Sequence, residues 1–249
     1  NAGAGDHFGC GGNLQGHAGH AVAMSRDGNT VVIGAHQEKS SARGVNGNQN
    51  DDSIYNSGAV YVFVRRGEAW VQQAYIKASN SGQSDNFGYL VAVSADGNTM
   101  AASAQWEASA ATGINGNQND DSIQQAGAVY VFVRTGDTWS QQAYVKASNT
   151  GRAAANGEEW DDGDQFGTAL ALSGDGNTMA VGAISEDSGA SAINGKVQVG
   201  DRRGHIRGSD RRGGVAFAEP SARRAGRGDR ETRHGLVVEI ENAVLHLHA

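Results

Sequence analysis

Apolar and polar positions alternate along this chain in short runs bounded by Gly, Asp and Asn, the pattern of strands joined by tight turns. In residues 127–133, Val129, Val131 and Val133 fall on one face while Tyr130 and Phe132 fall on the other. A strand that is apolar on both faces must be covered on both, so its sheet is predicted to be sandwiched. Upstream, predicted strands at 89–94 and 99–104 flank Asp96-Gly97, a strong hairpin signal because Gly accepts positive φ. Downstream, Thr135-Gly136-Asp137 leads to a fourth strand over 139–147, where Gln141, Gln142 and Lys146 predict a wetter outer edge.

This four-strand unit is repeated. Residues 44–80 align with 113–149 without a gap, with 28 identities in 37 positions. Ser25-Arg26-Asp27-Gly28-Asn29-Thr30 returns as Ser94-Ala95-Asp96-Gly97-Asn98-Thr99 and as Ser173-Gly174-Asp175-Gly176-Asn177-Thr178, at offsets of 69 and 79. The ten extra residues lie between Asn149 and Phe166, an insertion into one connecting loop that leaves the strand spacing intact. In the third copy the first strand is predicted over 170–173. Four antiparallel strands per unit of this length suit a propeller blade better than a solenoid turn, which usually takes about 20–45 residues.

Phe87-Gly88 and Phe166-Gly167 ahead of each first strand, Gly182-Ala183-Ile184 closing the second, and Gly58-Ala59-Val60-Tyr61-Val62-Phe63 in the third together resemble the FG-GAP repeats of bacterial surface proteins. More distantly they resemble the N-terminal β-propeller of integrin α subunits. The resemblance spans about 18–195. It implies an all-β fold, a partial β-propeller of four-stranded antiparallel blades at about 18–80, 87–149 and 166–195, the last incomplete. In the first copy Ala18-Gly19 occupies the Phe-Gly position, and Phe8-Gly9 stands ten residues too early. The third copy stops after Asn194-Gly195, about two and a half blades in all, too few to close a ring of four to eight.

Composition changes at the same point. Residues 1–195 carry a net charge of −11 and 196–249 carry +4, so the acidic body offers no footprint for nucleic acid. The irregular basic tail holds the only proline, Pro220, and three Arg-Arg pairs. An out-of-frame end, a genuine basic extension, and degenerate strands at 213–218 and 236–240 all stay open for it. The single cysteine, Cys10, excludes an internal disulfide. No apolar run is long enough for a membrane helix, no basic-then-apolar start marks a signal peptide, and opening on Asn1 the sequence is expected to be a processed or incomplete product.

Catalytic motifs are absent: the sequence has no Gly-x-Ser-x-Gly elbow, phosphate loop or His-Glu-x-x-His helix. His17 with His20, and His246 with His248, lack further ligands, and Arg227-Gly228-Asp229 arises readily in so Arg- and Gly-rich a segment. The calcium loop that the resemblance would place between first and second strands is replaced by a tight turn. Candidate binding positions are instead Asn48, Asn50, Asp51 and Asp52, with their copies Asn117, Asn119, Asp120 and Asp121. Asn and Asp there also suit Asx turns that satisfy loop backbone. The inserted acidic loop offers Asp161, Asp162 and Asp164 as Ca²⁺ ligands and Trp160 as a stacking surface. The resemblance places the long loops and the inter-blade loops on one face, where binding is expected.

The resulting expectation is a non-enzymatic, secreted or cell-surface module for adhesion or ligand binding, with calcium the one candidate cofactor. Its partners would be a protein or carbohydrate ligand, and missing blades or a second copy. Two alternatives remain, a polysaccharide hydrolase or lyase using Asp52, Asp121 and Asp162, and a purely structural surface repeat.

Overall fold

The computed structural model of the chain describes residues 5–10, 21–151 and 163–185, together with the backbone of 236–239. Among these residues there are eleven β-strands and no helix. The first sheet holds β1 (Val22–Met24), β2 (Thr30–Ala35), β3 (Ala59–Arg66) and β4 (Ala69–Ile76) in chain order. The second repeats it with β5 (Val91–Val93), β6 (Thr99–Ala104), β7 (Ala128–Thr135) and β8 (Thr138–Val145). The third pairs β9 (Phe166–Leu172) with β10 (Thr178–Ala183), and β11 (Leu236–Glu239) joins β10 on its other side.

Within the described sheets the strand pairings are antiparallel, and the register repeats with the sequence: Val32 opposes Val62 as Ala101 opposes Val131. The irregularity between Val62 and Phe63 returns between Val131 and Phe132. A bulge kept in both copies re-aims the outer half of each third strand against its neighbour.

The sheets stack face to face as the two-faced strand requires. Tyr130 and Phe132 of β7 pack with Val32, Val60, Val62 and Ile76 of the first sheet. Val129 and Val131, on the opposite face, pack with Phe166, Met179 and Val181 of the third. The first strands adjoin in turn, β1 against β5 and β5 against β9, which makes them the inner strands of neighbouring blades. Their hairpin turns are linked by backbone: the Arg26 amide donates to the Ala95 carbonyl at 3.0 Å, and the Ala95 amide to the Gly174 carbonyl at 2.7 Å. The arrangement is a partial β-propeller.

Two sequence expectations change, and one reading left open for the tail gains a strand. Lys146 does not lie on a wet edge: the inner half of β8 and the residues after it are buried, and Lys146 is wholly enclosed. Gln142 is exposed as expected. In the first copy Ala18-Gly19 lies outside the described residues, and it is Phe8-Gly9 that takes the Phe-Gly place. Phe8 meets Tyr61 and Phe63 at ring separations of 5.3 and 6.4 Å, just as Phe87 meets Tyr130 and Phe132 at 5.2 and 6.2 Å. The Gly9 amide donates to Gly34, as the Gly88 amide does to the corresponding Ser103. The first copy thus carries its own ten-residue insertion, between Gly9 and β1. Of the tail, 213–218 lies outside the described residues, whereas 236–239 forms the third strand of the last sheet, Val181 opposing Leu236.

Candidate functional site

The long loops of the blades and the segments that enter the next blade lie on one face. Backbone bonds weld them: Ser84 to Tyr55, Asn86 to Asn56 and Phe87 to Ser57 at the first junction, Gly163 to Gln124, Gln165 to Gln125 and Phe166 to Ala126 at the second. At the first junction two large aromatic side chains stand exposed beside that entry segment, Tyr55 and Trp106. The Ser84 amide donates to the Tyr55 carbonyl, and the Trp106 amide to the Asp85 carbonyl.

The Asn- and Asp-rich loops are built mainly to hold themselves. Asn48 accepts from the Asn50 amide at 3.0 Å, and Asp51 accepts from the amides of Ser41 at 2.8 Å and Ser53 at 3.1 Å, with the Ser41 hydroxyl also bound to it. The Ser41 hydroxyl and amide bonds lower the Asp51 pKa to about 2. The copy repeats the design: Asn117 accepts from the Asn119 amide, and Asp120 from the amides of Ala110 and Ser122. The bonds that span two residues are Asx turns, in which the side chain satisfies loop backbone, and those from Ser41 and Ala110 tie the loop across ten residues. Asn50, Asp52, Asn119 and Asp121 are exposed on the same loops.

Trp160, Asp161 and Asp162 lie outside the described residues. Asp164 is buried, and its place is that of Asp6 and Asp85, two residues ahead of the Phe-Gly pair. In all three copies the intervening residue has positive φ: His7 at 55°, Asn86 at 57° and Gln165 at 55°. The inserted acidic segment therefore interrupts a tight turn that runs directly from Gly82 to Asp85 in the preceding copy, where the Gly82 amide donates to Asp85 at 2.7 Å. Among the described residues no three His, Cys, Asp or Glu side chains are grouped to hold a metal, so the described part of the acidic loop does not itself furnish a calcium cage.

Beneath this face lies a buried polar cage in each full blade. Glu38 accepts from Lys77 at 2.7 Å, the Tyr75 hydroxyl at 2.8 Å and the Ser40 amide at 3.1 Å. Glu107 accepts equally from Lys146 at 2.7 Å, Tyr144 at 2.8 Å and the Ser109 amide at 3.2 Å. Burial lowers the pKa of both lysines, and their carboxylate partners oppose it. Two differences separate the copies. The Ser57 hydroxyl that Lys77 also engages is replaced by Ala126, and Glu107 instead receives Asn80 of the previous blade at 2.9 Å. Asn80 in turn accepts from the Tyr130 hydroxyl at 2.5 Å. The cage carries one blade's fourth strand across to the next.

Sequence reading missed this cage because its members are charged and scattered. The signal was present in the recurrence: Glu38, Glu107 and Glu186 each stand three residues after the second strand's closing alanine, and Tyr-x-Lys ends both full units.

Residues 70–132, from β4 through most of β7, match the family described as FG-GAP repeat. No curated protein matches the chain. Among solved structures it is similar to a protein from Bacteroides uniformis provisionally assigned as a 6-phosphogluconolactonase, with 11% identity and a TM-score of 0.33 over 70% of this chain and 38% of that one. The chain thus spans 38% of that protein's length, and no activity carries across at that level of likeness.

Proposed function

We propose that this chain, a protein of FG-GAP repeats arranged as propeller blades, is a non-enzymatic extracellular or cell-surface module that binds a protein or carbohydrate ligand on its loop face. The observation that supports this reading is the exposed pair Tyr55 and Trp106 beside the first inter-blade segment. Aromatic rings held by rigid backbone are efficient anchors for sugars and peptides because little side-chain freedom is lost on contact. Asp52 and Asp121 on the flanking loops would supply polar rim contacts.

Calcium assistance is proposed for the inserted acidic loop alone, through Asp161 and Asp162, since Asp51 and Asp120 are already engaged by their own loops. Thermal unfolding in millimolar calcium and then in chelator tests it: a site saturated a hundredfold adds about 2.7 kcal/mol to stability. An unchanged midpoint removes calcium from the account.

The binding reading is tested on arrays of extracellular-matrix proteins and bacterial and animal glycans. A hit is expected to weaken at least tenfold in both Tyr55→Ala and Trp106→Ala, with unfolding midpoints unchanged. A hit indifferent to both substitutions, or no hit on either array, rejects this face as the binding surface.

A further inference from the structure

The junction between one blade and the next is used twice among the described residues, and side chains buried in it recur exposed at the outer blades. On the leading face of the first blade, Val22 is 47% exposed, whereas the corresponding Val91 of the second blade is 5% exposed. Trp70 is 46% exposed, while its copy Trp139 is 3% exposed and donates from Nε1 to Gln73 of the preceding blade at 2.9 Å. At the trailing side of the third blade, Ile184 is 45% exposed, whereas His36 at that position in the first blade is buried and packs on Tyr89 of the next, 5.6 Å between rings.

Backbone shape tells the same story. A Cβ on Gly34 would lie 2.0 Å from the Gly88 carbonyl oxygen, so the next blade's Phe-Gly segment sits directly on Gly34. At the corresponding Gly182 the nearest described atoms to such a Cβ belong to Ala169 of its own sheet. Conversely Gly88 presses on Ala59 of the preceding blade, while among the described residues Gly9 meets Val22 and Ile33 of its own blade. The ladder of hairpin turns is also directional. Each amide donates forward, from Arg26 to Ala95 and from Ala95 to Gly174, which leaves the Gly174 amide as the next donor in the series and the Arg26 carbonyl as the acceptor that would begin it.

We propose that the trailing face of the third blade receives the leading face of the first blade of a second copy of this chain. Gly182 then seats the partner's Phe8-Gly9, and the Gly174 amide continues the ladder to the partner's Arg26 carbonyl. The three described sheets of each copy present one trailing and one leading face, so two copies meet twice and form a ring of six such sheets, within the four to eight a propeller accommodates. This inference rests on the blade packing and not on the proposed ligand.

Sedimentation equilibrium of the full chain under reducing conditions, which keep the exposed Cys10 from linking copies, tests it. The wild-type protein is expected to approach the mass of two chains as concentration rises. Ile184→Asp and Trp70→Glu should each shift the distribution toward one chain with far-UV circular dichroism and melting midpoint unchanged. Mixing the two variants should restore two-chain particles, because the intact trailing face of one meets the intact leading face of the other. Wild-type protein that stays one chain at every concentration, an open-ended polymer, a dimer insensitive to both substitutions, or variants that fail to complement each other would overturn the proposal.

Discussion

At the scale of single residues, the buried cages decide what the blades tolerate. Lys146 and Glu107 are both fully enclosed and bonded at 2.7 Å, and removing one partner strands the other's charge. Lys146→Met is therefore expected to cost about 3–5 kcal/mol, and Glu107→Gln in the same chain to recover a substantial part of that loss, because a neutral pair has no charge to desolvate. Urea denaturation of the two single variants and the double variant measures the coupling. Asp85 behaves oppositely to an ordinary surface carboxylate. Burial foremost, with Glu107 and Asp121 nearby, raises its pKa from 3.8 to about 7 against the opposing effects of the Gly82 amide and Lys146.

Because the folded state holds the Asp85 proton more tightly than the unfolded chain, its contribution to stability is full below about pH 4 and is lost as pH rises to 7. Asp85→Asn keeps an acceptor for Gly82 and removes the charge. It is expected to be more stable than wild type at pH 8, by at most about 4 kcal/mol, with the advantage vanishing toward pH 4. Denaturant midpoints at pH 4, 6 and 8 check both sign and window. His36 works the other way: burial, and then His7, lower its pKa to about 4, so its contribution is present above about pH 6.5 and lost as pH falls to 4. His36→Gln, the residue its second copy carries as Gln105, should flatten the acid side of the wild-type profile. None of these shifts was legible in the sequence, because each depends on which loop closes over the group.

At the scale of elements, strand order, hairpins and the two apolar faces of β3 and β7 were readable from alternation alone, and Thr99–Ala104 was placed to the residue. The first strand of the second copy was overextended, 89–94 where β5 spans Val91–Val93, since Tyr89 and Leu90 belong to the turn that follows Phe87-Gly88, while that of the third copy, expected over 170–173, begins earlier, β9 spanning Phe166–Leu172. The Phe-Gly pair was misplaced in the first copy because spacing was trusted over residue identity. Asp6-His7-Phe8-Gly9 matches Asp85-Asn86-Phe87-Gly88 and Asp164-Gln165-Phe166-Gly167, a pattern in which buried Asp and positive φ recur together. Asp164 was read as a calcium ligand because it adjoins the acidic insertion, while its structural place is set by the motif that follows.

Two element-level predictions follow from the junction geometry. Phe87→Ala is expected to cost about 3–5 kcal/mol, and Phe8→Ala clearly less, since Phe8 stacks on the corresponding rings of its own blade, Tyr61 and Phe63, but is exposed where Phe87 is buried. Gly58→Ala should be more damaging than its size implies: Gly58 has φ of 80°, and an added Cβ would stand 2.1 Å from the Phe87 carbonyl oxygen. A loss of several kcal/mol, or failure to fold, is the expected outcome, whereas Gly67→Ala, at positive φ in an open turn, should cost only about 1 kcal/mol. Thermal melts of the four variants rank them.

At the scale of the whole molecule, the sheets depend on each other in sequence. A blade with two apolar faces cannot stand alone, and the turn ladder, the Phe-Gly seats and the Asn80 bridge each tie one blade to the next. The radial stacking was inferable from the two-faced strand and the repeat length; the welds that fix it, made of backbone atoms and buried polar groups, leave little trace in hydropathy. The loop face follows from the same arrangement, since the long connections among the described residues emerge at one end.

The most direct test of this arrangement is disulfide trapping of Arg26→Cys with Ala95→Cys in a Cys10→Ser background. The bonded turns place these backbones side by side, with the amide of one 3.0 Å from the carbonyl of the other. Rapid oxidation to an intrachain disulfide, identified by mass mapping at low protein concentration, is the predicted result. Cysteines that remain reduced, or that link only between chains, would contradict blades ordered about their first strands.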